Sequence, residues 1–147
     1  MSDLPILPTT VVGSHGKPGW WHVCKDLHAR GDWGSYDLEE LLSDAVDIAI
    51  LDQERAGVNI ITDGEARRLD GYVDGYYEII DGIRALPVAR KAGPWGYDQQ
   101  TRYEAIGRIA APAGLGIVQE FTYLRDHTQK ATKVTCAGPL TFGSRTR

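Results

Sequence analysis

Two segments of this chain end in residues that can do chemistry. Thr9-Thr10-Val11-Val12-Gly13-Ser14 runs β-branched and apolar, then breaks at a glycine beside a hydroxyl. Asn59-Ile60-Ile61-Thr62-Asp63-Gly64-Glu65 does the same and delivers a carboxylate, with Arg67 and Arg68 close behind. A third segment, Lys133 to Cys136, leads into the turn Ala137-Gly138-Pro139-Leu140-Thr141. Polar groups placed just after a short apolar strand are what an α/β barrel presents to a ligand at its strand C-terminal ends. From spacing alone Glu65 stands open between a solvated loop acid, an ion-pair partner of Arg67 or Arg68, and a ligand-binding carboxylate. Ser14 stands open between a turn serine and a hydrogen-bonding group of a site.

Other chemistries find less support. Ser14-His15 is not a nucleophile and base pair, because neighbours on an extended chain point to opposite sides and no G-x-S-x-G elbow is present. His15, His22, His28 and His127 show no His-x-x-x-His or Glu-x-x-His spacing, and the cysteines no Cys-x-x-Cys spacing. Gly114-Leu115-Gly116 lacks the third glycine and the preceding strand of a phosphate-cradling loop. The tryptophans and Tyr72, Tyr76 and Tyr77 fit core and surface packing as well as a site lining.

The elements that must position these residues read as follows. Thr9–Val12 is a short strand. Residues 15–36, with Gly16, Pro18, Gly19, Gly31 and Gly34 and the tryptophans Trp20, Trp21 and Trp33, read as a long ordered loop. Asp37 fits an N-cap with Glu40 in capping-box position. Leu38, Leu41, Leu42, Ala45, Ile48 and Ala49 follow at helical spacing, and Gly57 fits the C-terminal cap. Val58–Thr62 is the second strand, so the unit is strand–helix–strand with a parallel, right-handed crossover. Residues 69–83 are helical in part. Leu86–Lys91 and Arg102–Ile109 pair as a hairpin around Gly93-Pro94-Trp95-Gly96. Ile117, Val118, Phe121 and Leu124 mark another amphipathic helix, and Lys133–Cys136 the third strand.

The totals set bounds on this reading. With 147 residues the chain is one domain at most, whereas a closed eight-stranded α/β barrel takes roughly 250 residues and at least about 200. A net charge of −4 carries no basic footprint for nucleic acid and no polybasic membrane signal. The sequence shows no apolar run of spanning length and no leader, so the expected location is cytoplasmic. Cys24 and Cys136, unpaired by motif, suit free thiols of a reducing compartment better than a disulfide.

The three segments resemble the catalytic barrel of cobalamin-independent methionine synthase and its relatives. That family opens its barrel with Thr-Thr-(Ile/Val)-Gly-Ser, carries Gly-Glu followed closely by Arg after the second strand, and has a Gly-Pro-hydrophobic-Thr turn after the third. Here these are Thr9 to Ser14, Gly64-Glu65 with Arg67-Arg68, and Gly138-Pro139-Leu140-Thr141. The resemblance implies an α/β fold, a partial (β/α)8 TIM-type barrel of about three βα units with a hairpin insertion. Residues 1–147 would then be one domain, the N-terminal half of that barrel, truncated or split. It implies zinc-dependent methyl transfer from a methyltetrahydrofolate to homocysteine. Val12, Gly13 and Ser14 would bind the substrate carboxylate end, and Glu65 its ammonium, with the zinc ligands outside this chain. The His22-Val23-Cys24 pair sits in the first loop, away from the family's His-x-Cys pair, and is read as coincidence. His15-Gly16 stands where relatives carry an aromatic and proline, which leaves the exact thiol open. The alternatives are alkyl transfer to another thiol such as coenzyme M, and a non-catalytic half-barrel. The open sheet edges of a half-barrel call for a complementing half-barrel chain or a homo-oligomer.

Overall fold

The computed structural model describes residues 4–69, 71–88 and 100–147. The element order is α1 (Gly19–Ala29), α2 (Ser35–Arg55), β1 (Ile60–Ile61), α3 (Asp74–Ile79), β2 (Asp81–Ala85), β3 (Tyr103–Ala110), α4 (Ile117–Asp126), β4 (Ala131–Thr132) and α5 (Pro139–Gly143). The protein is α/β. It divides into two compact units, Met1–Tyr72 with Gly116–Thr135, and Val73–Leu115 with Cys136–Arg147.

In the first unit β1 lies parallel to β4, pairing Ile60 with Ala131 and Ile61 with Thr132, and Thr10 forms a parallel bridge to Ile60 on the other side. Three successive parallel segments therefore run side by side, with α2 connecting the first two and α4 preceding the third, as the strand–helix–strand reading requires. The strands are shorter than expected. Thr9–Val12 contributes a single bridge at Thr10, and the third strand is Ala131–Thr132 rather than Lys133–Cys136. Lys133 still donates its N–H to Ile61 O, so pairing fades just where residues 133–136 diverge toward other partners.

The region 15–36 is not a loop, because it holds α1. Its glycines bracket the helix instead of interrupting it: Gly16 and Gly19 lie at its start, Gly31 and Gly34 beyond its end. Within that bracket Trp21 is buried and Cys24, one turn on, packs against the core, so these two mark the inward face of the helix. The N-cap of α2 lies three residues before the expected Asp37. It is Gly34, and Asp37 sits at the third helical position, where its carboxylate accepts the Gly34 N–H at 2.8 Å. The C-terminus behaves as expected: Gly57 has φ +75, its N–H bonds Glu54 O, and Val58 N–H bonds Gln53 O, a Schellman closure. Leu41, Leu42, Ala45 and Ala49 are buried as expected, but Ile48 is 40% exposed, and Val46 and Ile50 take the inward positions. With Trp21, Ile61, Ala66 and Leu124 they build the core of this unit.

In the second unit β2 and β3 are antiparallel, so the hairpin is present, with its first strand at Asp81–Ala85 rather than Leu86–Lys91. Pro87 has no N–H to give a ladder, which ends regular pairing after Leu86 N–H bonds Arg102 O. Gly82, at φ +80, sits where a Cβ would meet Arg108 O at 2.2 Å, and the register shifts at this point. The Gly93–Gly96 turn and the Lys91 end of the expected strand lie outside the described residues. α3 supplies the helical part expected within 69–83. Tyr77 stacks between Tyr103, at 4.1 Å, and Phe142, at 4.5 Å, and its hydroxyl donates to Phe142 O. Cys24 and Cys136 are free thiols. Among the described residues no helix is long and apolar enough to cross a membrane.

Candidate functional site

The site grows from the end of β1. Gln53, buried on α2, holds that end with its side-chain amide. Its Nε2 donates to Ala49 O and Thr62 O at 2.8 Å each, and its Oε1 accepts Thr62 N–H at 2.9 Å. One amide thus satisfies the backbone of Thr62, the residue just past the strand, which would otherwise be buried without partners. Beyond it the chain turns sharply. Asp63 Oδ1 accepts the Glu65 N–H at 3.0 Å, and Gly64 adopts φ +66. A Cβ on Gly64 would lie 2.7 Å from the Cβ atoms of both Ala49 and His15, so only glycine fits this close approach. Glu65 itself has φ 53 and is the one non-glycine residue at positive φ among those described. Such a backbone costs on the order of 1–3 kcal/mol and persists only where its surroundings hold it.

The first segment is tied to this turn by the His15 N–H, which bonds Gly64 O at 2.9 Å. That bond sets Ser14 beside Glu65, and the Ser14 hydroxyl donates to Glu65 Oε2 at 2.8 Å. On the other side Thr135, just past β4, donates its hydroxyl to Glu65 Oε1 at 2.8 Å. All three parallel segments therefore converge on one carboxylate. Behind it lies Arg68, whose guanidinium is 3.6 Å from Glu65 Oε1 and 2.9 Å from Glu120 Oε2, with a further bond to Thr135 O. Its cationic plane also faces the Tyr72 ring at 5.4 Å. Glu65, Arg68 and Glu120 are all buried. Burial pushes the Glu120 carboxyl above its ordinary range, against the pull of Arg68. Two buried carboxylates share one buried guanidinium, with the Lys17 ammonium at the edge of the cluster.

Lys17 stands at the edge of this cluster. Its Nζ donates to the backbone O of Glu65 at 3.2 Å and lies 4.9 Å from the Trp21 ring centroid. Desolvation by burial lowers its pKa, with Glu65 and Asp63 pulling the other way. Arg67 diverges from Arg68 altogether. It forks onto Glu39 at 2.8 and 2.9 Å and lies over the Tyr123 ring, an ion pair of the α2–α4 face.

Of the expected site residues, the structure brings Ser14 and Glu65 into direct contact. Gly13, at φ +81, shapes the turn before Ser14, and Val12 is exposed beside it. The ion-pair alternative for Glu65 is also realised, through Arg68. His15 does not serve Ser14; its Nε2 faces Asp52 Oδ2 at 3.2 Å. Glu120, Thr135 and Lys17 carried no role in the sequence reading. Glu120 had a signal: it falls in register with Ile117, Phe121 and Leu124 on the inward face of α4, where an acid demands a partner.

The zinc that the resemblance implies finds no fitting donors here. Among the described residues no group of three His, Cys, Asp or Glu side chains comes together. His22 and Cys24 lie two apart on α1, and such neighbours do not share a helix face.

Parallel segments with a polar site beyond their carboxyl ends, linked by helices, define an α/β protein of the kind that binds ligands at strand ends. The particular family follows from comparison. Residues 7–142 match the family described as "Cobalamin-independent synthase, Catalytic domain", and the chain belongs to it. It is 35% identical over 143 residues to a protein named methionine synthase from Saccharolobus solfataricus, covering 97% of this chain and 42% of that protein. It is 34% identical over 144 residues to the methionine synthase of Sulfurisphaera tokodaii, covering 97% of this chain and 41% of the relative. This chain therefore spans about two fifths of the length of these relatives. Among solved structures, its fold is similar to a B12-independent methionine synthase from a Shewanella species in complex with selenomethionine. The TM-score is 0.71 at 20% identity, over 97% of this chain and 41% of that one.

Proposed function

We propose that this chain supplies the amino-acid end of a methyl-transfer site, taking homocysteine as acceptor from a methyltetrahydrofolate donor. The observation that carries this reading is the Glu65 carboxylate, buried, strained in its backbone and fixed by Ser14, Thr135 and Arg68. A carboxylate so fixed is matched to an ammonium, because a charge-assisted hydrogen bond adds geometry to attraction. That favours an amino-acid thiol over a thiol without an ammonium, such as coenzyme M. Ser14, Gly13 and Val12 line the approach to Glu65 in this reading.

Residues 1–147 are read as a single segment, the N-terminal half of a (β/α)8-type barrel. The parallel order Thr10, β1, β4 supports this. The zinc ligands and remaining strands then come from polypeptide outside residues 1–147, on a complementing half-barrel, and light scattering of the purified chain checks for self-association in its place. The test of the site is a calorimetric titration with L-homocysteine under reducing conditions. Glu65→Gln keeps the shape but loses the charge and one of the two oxygens that accept from Ser14 and Thr135, and should weaken binding at least about tenfold. Equal affinity in both proteins would leave Glu65 a structural ion-pair partner only.

A further inference from the structure

The left-handed backbone of Glu65 needs a physical cause, and the residues around it supply one. Two side chains in a row accept the N–H two residues ahead. Thr62 Oγ1 accepts from Gly64 at 3.2 Å, and Asp63 Oδ1 accepts from Glu65 at 3.0 Å. A side-chain oxygen used in this way stands in for a backbone turn and fixes the peptide it holds. The carbonyl on the other side of Glu65 is held too, by the Arg68 N–H at 3.2 Å and by Lys17 Nζ at 3.2 Å. With the peptides before and after it both held, Glu65 cannot rotate freely about its own φ. Nor can the turn slide to relieve it, because Gly64 packs against Ala49 and His15 too closely to admit even a Cβ.

Asp63 is the unexplained member of this clamp. It is almost wholly buried, yet its Oδ2 has no hydrogen-bond partner among the described residues. A buried carboxylate with one oxygen unpaired is unfavourable in itself. The bond from Oδ1 to the Glu65 N–H is what the side chain does there. We propose that Asp63 is a positioning residue. By holding the Glu65 N–H it keeps Glu65 left-handed, and so aims the Glu65 carboxylate between the Ser14 and Thr135 hydroxyls. It acts through Glu65 and touches no ligand. Its consequence for binding rests on the reading of Glu65 as the ammonium acceptor; its consequence for the backbone does not.

The experiment compares the unaltered 147-residue chain with Asp63→Ala, Asp63→Asn and Asp63→Ser. NMR without ligand reads the Overhauser effect between the N–H and Hα protons of Glu65, which is strong at positive φ and weak at negative φ. Calorimetry reads L-homocysteine, with 4-mercaptobutyrate, which lacks the ammonium, as control. Asp63→Ala should weaken the Overhauser effect and lower homocysteine affinity about fivefold or more, the low end of what a positive-φ backbone costs. The control probe should titrate as it does with the unaltered chain. Asp63→Asn keeps the acceptor oxygen and should restore both readings. If Asp63→Ala does not fold, Asp63→Ser carries the test: its shorter, weaker acceptor should lower both readings together, and a Glu65 Overhauser effect as strong as in the unaltered chain overturns the proposal. The same strong effect in Asp63→Ala overturns it, as does an Asp63→Asn chain that behaves like Asp63→Ala. A weakened Overhauser effect with unchanged homocysteine affinity upholds the hold of Asp63 on the backbone and sinks the Glu65 reading instead.

Discussion

The two compact units are held together by different physics. The first, Met1–Tyr72 with Gly116–Thr135, places an aliphatic core around Trp21, Val46, Ile61 and Leu124 directly against buried charges at Glu65, Arg68 and Glu120. The second, Val73–Leu115 with Cys136–Arg147, relies on a two-stranded hairpin and the Tyr103–Tyr77–Phe142 stack, and most of β3 faces outward. Its ion pairs, Arg84 with Glu104 and Arg145 with Asp74, involve partly or largely exposed groups. The difference teaches where chemistry is housed. Unit one keeps ionised groups out of water and must therefore complete their pairing, which is the condition under which a ligand's charge matters. Unit two carries its charges where water screens them.

The sharpest way to break this contrast is Arg68→Leu. It leaves Glu65 and Glu120 buried without their shared cation, and removing one partner of a buried pair costs about 3–5 kcal/mol. A denaturant titration should show that loss; one below about 1 kcal/mol would mean the carboxylates reach water, and the account of a dry polar cluster would fail.

A smaller effect is expected in the other unit. Phe142→Ala removes one face of the tyrosine stack, worth about 1 kcal/mol beyond the lost area. Amide hydrogen exchange should quicken across β2 and β3 while Ile60 and Ile61 stay protected. Equal acceleration in both regions would show that the two units unfold as one.

The smallest effect concerns pH. Burial raises the folded-state pKa of Glu120 above its ordinary 4.5, so the folded protein holds that proton more tightly than the unfolded chain. This contribution to stability is present below the ordinary value and is lost as pH rises through the raised one. Glu120→Gln should flatten the pH dependence of melting temperature above about 4.5, the ordinary value, while leaving the protein folded. An unchanged slope would place the titration elsewhere.

What could be read from the sequence is mostly what is local. Gly57 closing α2 and the apolar register of Leu41 and Ala45 follow from spacing within the one helix, about twenty residues, and the parallel connection from the rule that a strand–helix–strand unit crosses over in parallel. The α1 helix is not evident from composition, because the glycines of residues 15–36 lower helix propensity on average while they sit at its two ends. The strands were over-extended because β-branched runs state a preference for extended chain, whereas pairing depends on partners 50 or more residues away, as with Thr10 and Ile60. The same holds for the site. Glu65 and Ser14 were legible as polar residues after apolar runs, but their joint engagement with Thr135, Arg68 and Glu120 arises from separations the sequence does not order.

The central claim is that Glu65 is held in readiness for an ammonium. The most direct measurement is the side-chain carboxyl carbon resonance of Glu65, assigned by ¹³C NMR and followed during titration with L-homocysteine. The account predicts a saturable shift at Glu65, smaller shifts at Ser14 and Thr135, and no such change with 4-mercaptobutyrate. A homocysteine-dependent shift confined to other residues, with Glu65 unmoved at saturation, would contradict it.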